Sequence, residues 1–225
     1  MEKAIIFHGH TLRPTGALVP HDFGSSLRRI FLLSPANASG IRAKRLLSGR
    51  TEVDLAFRLR ATGASLGEIF SFASALYFRG KLAYARRFAN PPTGLPGIFV
   101  ITPSRGLQNP GTIVTLEELR AMSSVRIDQN NPEYRVPLER DARLLSERSG
   151  NDTQIVLLGS IATQKYVGPL LEIFGERLVF PCDFVGRGDM SRGGLLLRSS
   201  RDSAQLKYVA VANLGRACGK LASDK

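Results

Sequence analysis

The residues best suited to chemistry in this chain of 225 residues cluster between Phe184 and Gly194. This stretch holds Gly186, Gly188, Gly193, Gly194, Arg187, Arg192, Asp189 and Ser191. Each arginine offers a planar fork of donors that matches phosphate. Ser191 adds a hydroxyl, and Asp189 is the candidate general base, placed to read a base edge or position a water. Glycines leave the backbone open to close approach by a ligand. The competing reading is an Arg–Asp pair that stiffens a glycine-rich turn. Gly186-x-Gly188 does not extend into a dinucleotide fingerprint, the stretch predicts no helix behind it, and no Walker sequence occurs.

Other chemistry is thinner. All three histidines fall early, as His8-x-His10 and His21-Asp22. Two histidines and a carboxylate do not make a zinc set, which normally needs three or four protein ligands, so no metal and no cofactor is expected. Cys182 and Cys218 lack metal or disulfide-framework spacing, and Cys182 reads as a small buried residue. No Gly-x-Ser-x-Gly elbow is present. On Leu76–Phe88, Tyr77, Lys81, Tyr84 and Phe88 share one helical face. Aromatic and cationic groups on one face can stack bases and grip phosphates, although an amphipathic helix with core aromatics gives the same spacing.

Charge supplies the partner expectation. The net charge is +12, with 24 Arg and seven Lys. Residues 1–90 carry a balance of +9, residues 91–180 of −1 and residues 181–225 of +4. This asymmetry predicts a polyanion-facing side, hence nucleic acid or a nucleotide-like ligand. A GC-rich genome explains the Arg-to-Lys ratio equally well, but not the net charge. No apolar run approaches the roughly 18 residues of a membrane span, and the N-terminal apolar run is too short for a secretory signal. A cytoplasmic protein with no membrane partner is expected.

Alternating strand and helix patterns must position these groups. Strands are predicted at Ala4–Phe7, Arg29–Leu33, Ile98–Thr102, Gln154–Gly159 and Leu178–Phe180. Helices are predicted from Gly40, from a capping box at Thr51–Asp54, and from a second box at Ser65-x-x-Glu68 that opens one long helix to Ala89. Further helices start at Thr115-x-x-Glu118, cover Leu138–Ser149, and run near Thr163–Phe174. Leu195–Arg198 and Lys207–Ala212 read as a closing hairpin. The fold class expected is α/β, a mostly parallel sheet flanked by helices with a C-terminal hairpin. A single domain spanning 1–225, with a basic helical subdomain near 40–90, fits this length.

Ligands of parallel sheets bind beyond the strands' carboxyl ends. Four loops qualify: Ser34–Gly40, Thr102–Leu107, Gly159–Tyr166 and Phe184–Gly194. Each is rich in small and hydroxyl residues, and helix N-termini there favour anions. Such residues are also ordinary turn formers, so the shared edge is what argues for a site.

The motif order carries a resemblance. Leu-Tyr-Phe-Arg-Gly-Lys-Leu-Ala-Tyr-Ala at 76–85 precedes Phe-Val-Ile-Thr-Pro-Ser-Arg-Gly-Leu at 99–107, and Ile-Val-Leu-Leu-Gly-Ser follows at 155–160. With Leu33-Ser34-Pro35-Ala36-Asn37, residues 30–175 resemble YaaA-type bacterial proteins associated with peroxide stress and DNA binding. That resemblance implies ligand-facing positions at Ser34, Asn37, Lys81, Ser104, Arg105, Gly159 and Ser160. Asn37 stands where that family has lysine, and the 186–194 stretch has no counterpart there. The expectation is a nucleic-acid- or nucleotide-binding protein, or an enzyme acting on a nucleobase or nucleotide with Arg105, Arg187 and Arg192 as stabilisers. The alternatives are a hydrolase or transferase of a small phosphorylated metabolite, and a non-catalytic DNA-binding module.

Overall fold

The computed structural model describes residues 27–36, 40–48, 53–74, 76–162 and 164–213. The strand at Ala4–Phe7, the three histidines, Asn37, Thr51, Thr163 and Cys218 lie outside them. In chain order the elements are β1 (Arg29–Leu33), α1 (Ile41–Ser48), α2 (Asp54–Ala61), β2 (Ala64–Ser65), α3 (Leu66–Ser74) and α4 (Leu76–Phe88). Then come β3 (Ile98–Ile101), β4 (Leu107–Gln108), β5 (Ile113–Val114), α5 (Leu116–Ser124), α6 (Pro132–Ser149), β6 (Gln154–Leu158) and α7 (Gln164–Phe174). β7 (Leu178–Pro181), α8 (Asp189–Arg201) and β8 (Tyr208–Ala210) complete the order.

The main sheet runs β4-β3-β1-β6-β7-β8, and β2 pairs with β5 apart from it. β3, β1, β6 and β7 are mutually parallel, with β4 and β8 antiparallel at the edges. This is the expected α/β architecture. Ile30–Leu33 and Ile155–Leu158 are fully buried, which explains why these strands read as unbroken apolar runs: both faces are covered by helices. The crossover from β1 to β3 travels one way across the sheet, and those from β3 to β6 and from β6 to β7 travel the other way. Right-handed connections therefore place their helices on opposite faces. α4 packs on β1 and α8, whereas α6 and α7 pack together, α7 against β7.

Local signals set most helix starts. Thr115 and Glu118 form a reciprocal capping box on α5, with Thr115 N donating to Glu118 Oε2 at 2.8 Å. Ser65 and Glu68 do the same for α3, satisfying otherwise orphaned donors. Asn131 caps α6 with Pro132 at its first position, so this helix begins six residues before Leu138. The cap of α2 is Val53, which makes no side-chain bond.

Two elements correct the sequence reading. The long helix expected from Ser65 to Ala89 is two helices, α3 and α4. Leu195–Arg198 is not a hairpin strand but the middle of α8; β8 pairs with β7 instead, Phe180 opposite Val209. The second goes with a helix crossing. A Cβ on Gly193 would sit 2.9 Å from the Leu76 carbonyl and the Tyr77 Cα, and one on Gly80 would sit 2.7 Å from the Gly193 carbonyl oxygen. Two glycines let α4 and α8 touch backbone to backbone, and that contact buries Leu196.

Candidate functional site

The loops that leave β1, β3, β6 and β7 emerge at one edge of the sheet, as parallel strands require. Between β1 and β6 the outgoing chain turns to opposite faces, the switch point where open α/β sheets hold ligands. Here Ser34 follows β1 and Gly159 follows β6. A Cβ on Gly159 would lie 3.0 Å from Ser34 Cβ and 3.2 Å from its hydroxyl, so this glycine leaves room for the serine side chain. Ser34 N donates to Leu158 O at 3.1 Å, fixing the strand end. Above it opens a cleft of about 700 Å³ whose lining includes Ser34, Ser160, Arg126, Lys165, Tyr166 and Asp189.

Lys81 lies beneath this floor. It is 1% exposed, and its ammonium group donates to Ser34 O at 2.6 Å and to Ser34 Oγ at 2.9 Å. The Tyr77 and Phe78 rings lie 4.5 and 5.1 Å away. It makes no ion pair with a carboxylate among the described residues. Burial penalises the charged form and lowers its pKa to about 7, with Asp189 pulling weakly the other way. Burial therefore favours the neutral amine over the ammonium. Tyr77 Oη is buried without a well-formed hydrogen bond. Burial pushes its phenol up to about 12, against the nearby Arg192 guanidinium. Tyr166 is likewise shifted up by burial, and then by the neighbouring Tyr77 and Asp189.

The stretch from 184 to 194 divides into parts with different jobs. Only 185–188 is loop, and a helix does follow Gly186-x-Gly188. Gly186 takes a φ of +73° that side chains rarely adopt. Gly188 caps α8 without a side chain. Gly193 serves the crossing with α4 rather than a ligand. Asp189 opens α8 with its side chain 74% exposed, at the rim of the cleft. Arg187 does not pair with it. Its guanidinium donates to Asp183 O at 2.8 Å and to Ser191 Oγ at 3.3 Å. Arg192, 14% exposed, donates to Phe184 O, lies over the Phe184 ring, and comes only within 4.0 Å of Asp189. Both arginines already brace backbone carbonyls, those of Asp183 and Phe184 in the short turn Cys182–Phe184, in which Cys182 is buried.

The remaining positions fall further out. Arg105 is held by Glu118 at 2.8 Å, and its backbone N–H by Thr102 Oγ1. Ser104 is half-buried beside Pro103, which lines the cleft. The structure thus brings together Ser34, Lys81, Gly159, Ser160 and Asp189, with Arg192 behind, and leaves Arg105 and Arg187 engaged elsewhere. The aromatic face of α4 points inward. Tyr77, Lys81 and Tyr84 are buried, Tyr84 shares a 2.6 Å hydrogen bond with Tyr208, and Arg79, Arg86 and Arg87 face out. Among the described residues no group of three or more His, Cys, Asp or Glu could hold a metal.

Sequence reasoning missed Arg126, which reaches the cleft from the connection between α5 and α6, at no strand end. Tyr77 was visible only as an aromatic on a helix, with no signal for its buried hydroxyl. No family model, no curated protein and no solved structure matches this chain.

Proposed function

We propose that this protein binds a small anionic, nucleotide-like ligand at the switch-point cleft. The observation that carries the reading is the convergence there of the β1 and β6 ends with Lys165 and Arg126 on the walls. Helix α7 begins beside the cleft and α8 begins at its rim, and helix N-termini favour phosphate. About 700 Å³ lies within the usual range of roughly 300–1,000 Å³ for small-ligand sites, which favours a mononucleotide or a single-strand end over duplex DNA. Catalysis on the bound base or nucleotide would use the cleft's hydroxyls and the Lys81 amine rather than Asp189.

One observation favours a second reading. Among the described lining residues Tyr166 is the aromatic, and its ring is buried, so these residues give a base little to stack on. A small phosphorylated metabolite needs no such platform. Thermal shifts with nucleoside monophosphates, free nucleosides and sugar phosphates separate the two. A rise in melting temperature with monophosphates but not sugar phosphates supports the first reading, because a ligand selective for the native state stabilises it by mass action. Equal shifts with both favour the metabolite. Absence of any shift, with no binding of labelled single-stranded DNA at low salt, would overturn both.

A further inference from the structure

We propose that Ser34 and Lys81 form a nucleophile–base pair, with Ser34 attacking the carbonyl carbon of an activated ester presented in the cleft and Lys81 taking its proton. This goes beyond ligand binding and does not depend on the ligand being a nucleotide.

Geometry comes first. The Lys81 Nζ to Ser34 Oγ distance is 2.9 Å, within the reach a nucleophile and its base require. Serine–lysine pairs are a recognised variant of triad chemistry. Ser34, 6% exposed, is among the residues lining the cleft, whereas Lys81, 1% exposed, lies behind them. Gly159 packs against Ser34 closely enough that a Cβ there would press on the hydroxyl, at 3.2 Å.

The burial of Lys81 adds a second argument. A buried ammonium is normally matched by a carboxylate. Here both acceptors belong to Ser34, and an uncharged donor would tether the same strand end without desolvating a charge. The groups facing Lys81 do not restore the lost solvation. From α8 come Asp189 and, across Tyr77, Arg192; from α7 comes Tyr166; Tyr77 lies on its own helix. Glu68 of α3 is taken by Arg58, and Arg29 of β1 is bonded to Gln154 and Gln205 at the far end of the strand. The amine, lowered to about 7, is available as a base at physiological pH.

The step balances without a co-reactant other than water. Neutral Lys81 accepts the Ser34 proton as the Oγ–carbon bond forms and the carbonyl π pair moves to oxygen. The intermediate collapses, the ester C–O bond breaks, and the leaving alkoxide takes the proton from Lys81. Water then attacks the acyl-serine, giving its proton to Lys81, which returns it to Ser34 Oγ as the acyl–Oγ bond breaks. The sum is ester plus water giving acid plus alcohol.

The test treats the full chain with a fluorophosphonate and with p-nitrophenyl acetate between pH 6 and 9. The expected result is a single adduct mapped to Ser34, a p-nitrophenol burst, and a labelling rate that rises through pH 7. Ser34→Ala should abolish the adduct. Lys81→Met and Lys81→Arg should each slow labelling at least 100-fold while melting cooperatively. The Arg variant is decisive because arginine keeps the tether to Ser34 but cannot act as a base. No Ser34 adduct in the wild type, or equal labelling rates in the Arg variant, would overturn the proposal. If both Lys81 variants fail to fold, a wild-type labelling rate that does not rise through pH 7 overturns it too.

Discussion

Replacing Lys81 with methionine should change the pH dependence of stability in a way that follows from its burial. The amine falls from 10.5 to about 7 on folding. At about 1.4 kcal/mol per pH unit, that sets a ceiling of about 5 kcal/mol on the penalty the ammonium imposes below pH 7. The bonds to Ser34 O and Ser34 Oγ give part of this back, roughly 1.5–3 kcal/mol for a charged donor. Lys81→Met removes both contributions, so a net gain of about 2 kcal/mol at pH 6 is expected. The sign of the pH dependence follows from the depressed folded pKa. The unfolded chain keeps its lysine proton up to 10.5, whereas the folded chain releases it near 7, so wild-type stability rises between those values. The variant lacks this rise. Its advantage should shrink by about 2–3 kcal/mol between pH 7 and pH 9, bringing the two proteins close to equal. Urea melts of both proteins at half-unit steps measure this difference directly, and other titrating groups cancel in it. The series stops at pH 9.5 because the buried tyrosines have raised pKa values, Tyr77 about 12. Their contribution is intact below pH 10 and is lost above it. Parallel pH profiles for the two proteins would refute the reasoning, as would a variant that is less stable at pH 6.

Two further outcomes are expected. Gly193→Ala places a methyl 2.9 Å from the Leu76 and Tyr77 backbone, so it should cost about 1–3 kcal/mol by chemical denaturation despite alanine's better helix propensity. A neutral or stabilising effect would mean that α4 and α8 can separate freely. Arg187→Ala removes bonds to Asp183 O and Ser191 Oγ on an exposed turn. It should lower stability by about 0.5–1 kcal/mol and leave ligand affinity within twofold, and a tenfold loss in a binding isotherm would return Arg187 to the site.

The parts of this fold legible in the sequence are those fixed by short-range signals. β1, β3, β6 and β7 stand out because apolar runs buried on both faces have no polar alternation to blur them, and turn residues bound each one. The Ser65 and Thr115 boxes are likewise complete within four residues. Leu195–Arg198 was misread because three consecutive leucines carry neither a period of two nor one of 3.6. In the fold that segment is helical and packs where Gly193 meets Gly80, more than a hundred residues away. Spacing groups Tyr77, Lys81, Tyr84 and Phe88 but says nothing about whether solvent or the sheet lies opposite. At the site, Ser34, Gly159 and Ser160 were accessible through the rule that parallel strands present their C-terminal loops together. Arg126 was not, because it lies in a helix–helix connection, at no strand end, and lines the cleft only in the folded chain.

Net charge and the burial of a single charge point to different parts of the molecule. Many of the arginines behind the +12 balance are committed to the fold. Arg58 bridges Asp54 and Glu68, Arg105 holds Glu118, Arg135 holds Glu139 and Glu172, and Arg177 ties Ser146, Ser149 and Gly150. Exposed pairs of this kind contribute little individually and occupy guanidinium groups that a polyanion would need. Lys81 is the reverse case. It contributes nothing to surface charge, its burial disfavours its charged form, and it bonds a serine at the place where the sheet's connections diverge. A residue that costs stability where ligands bind in this architecture is better accounted for by chemistry than by packing, and the arginine variant at position 81 separates the two.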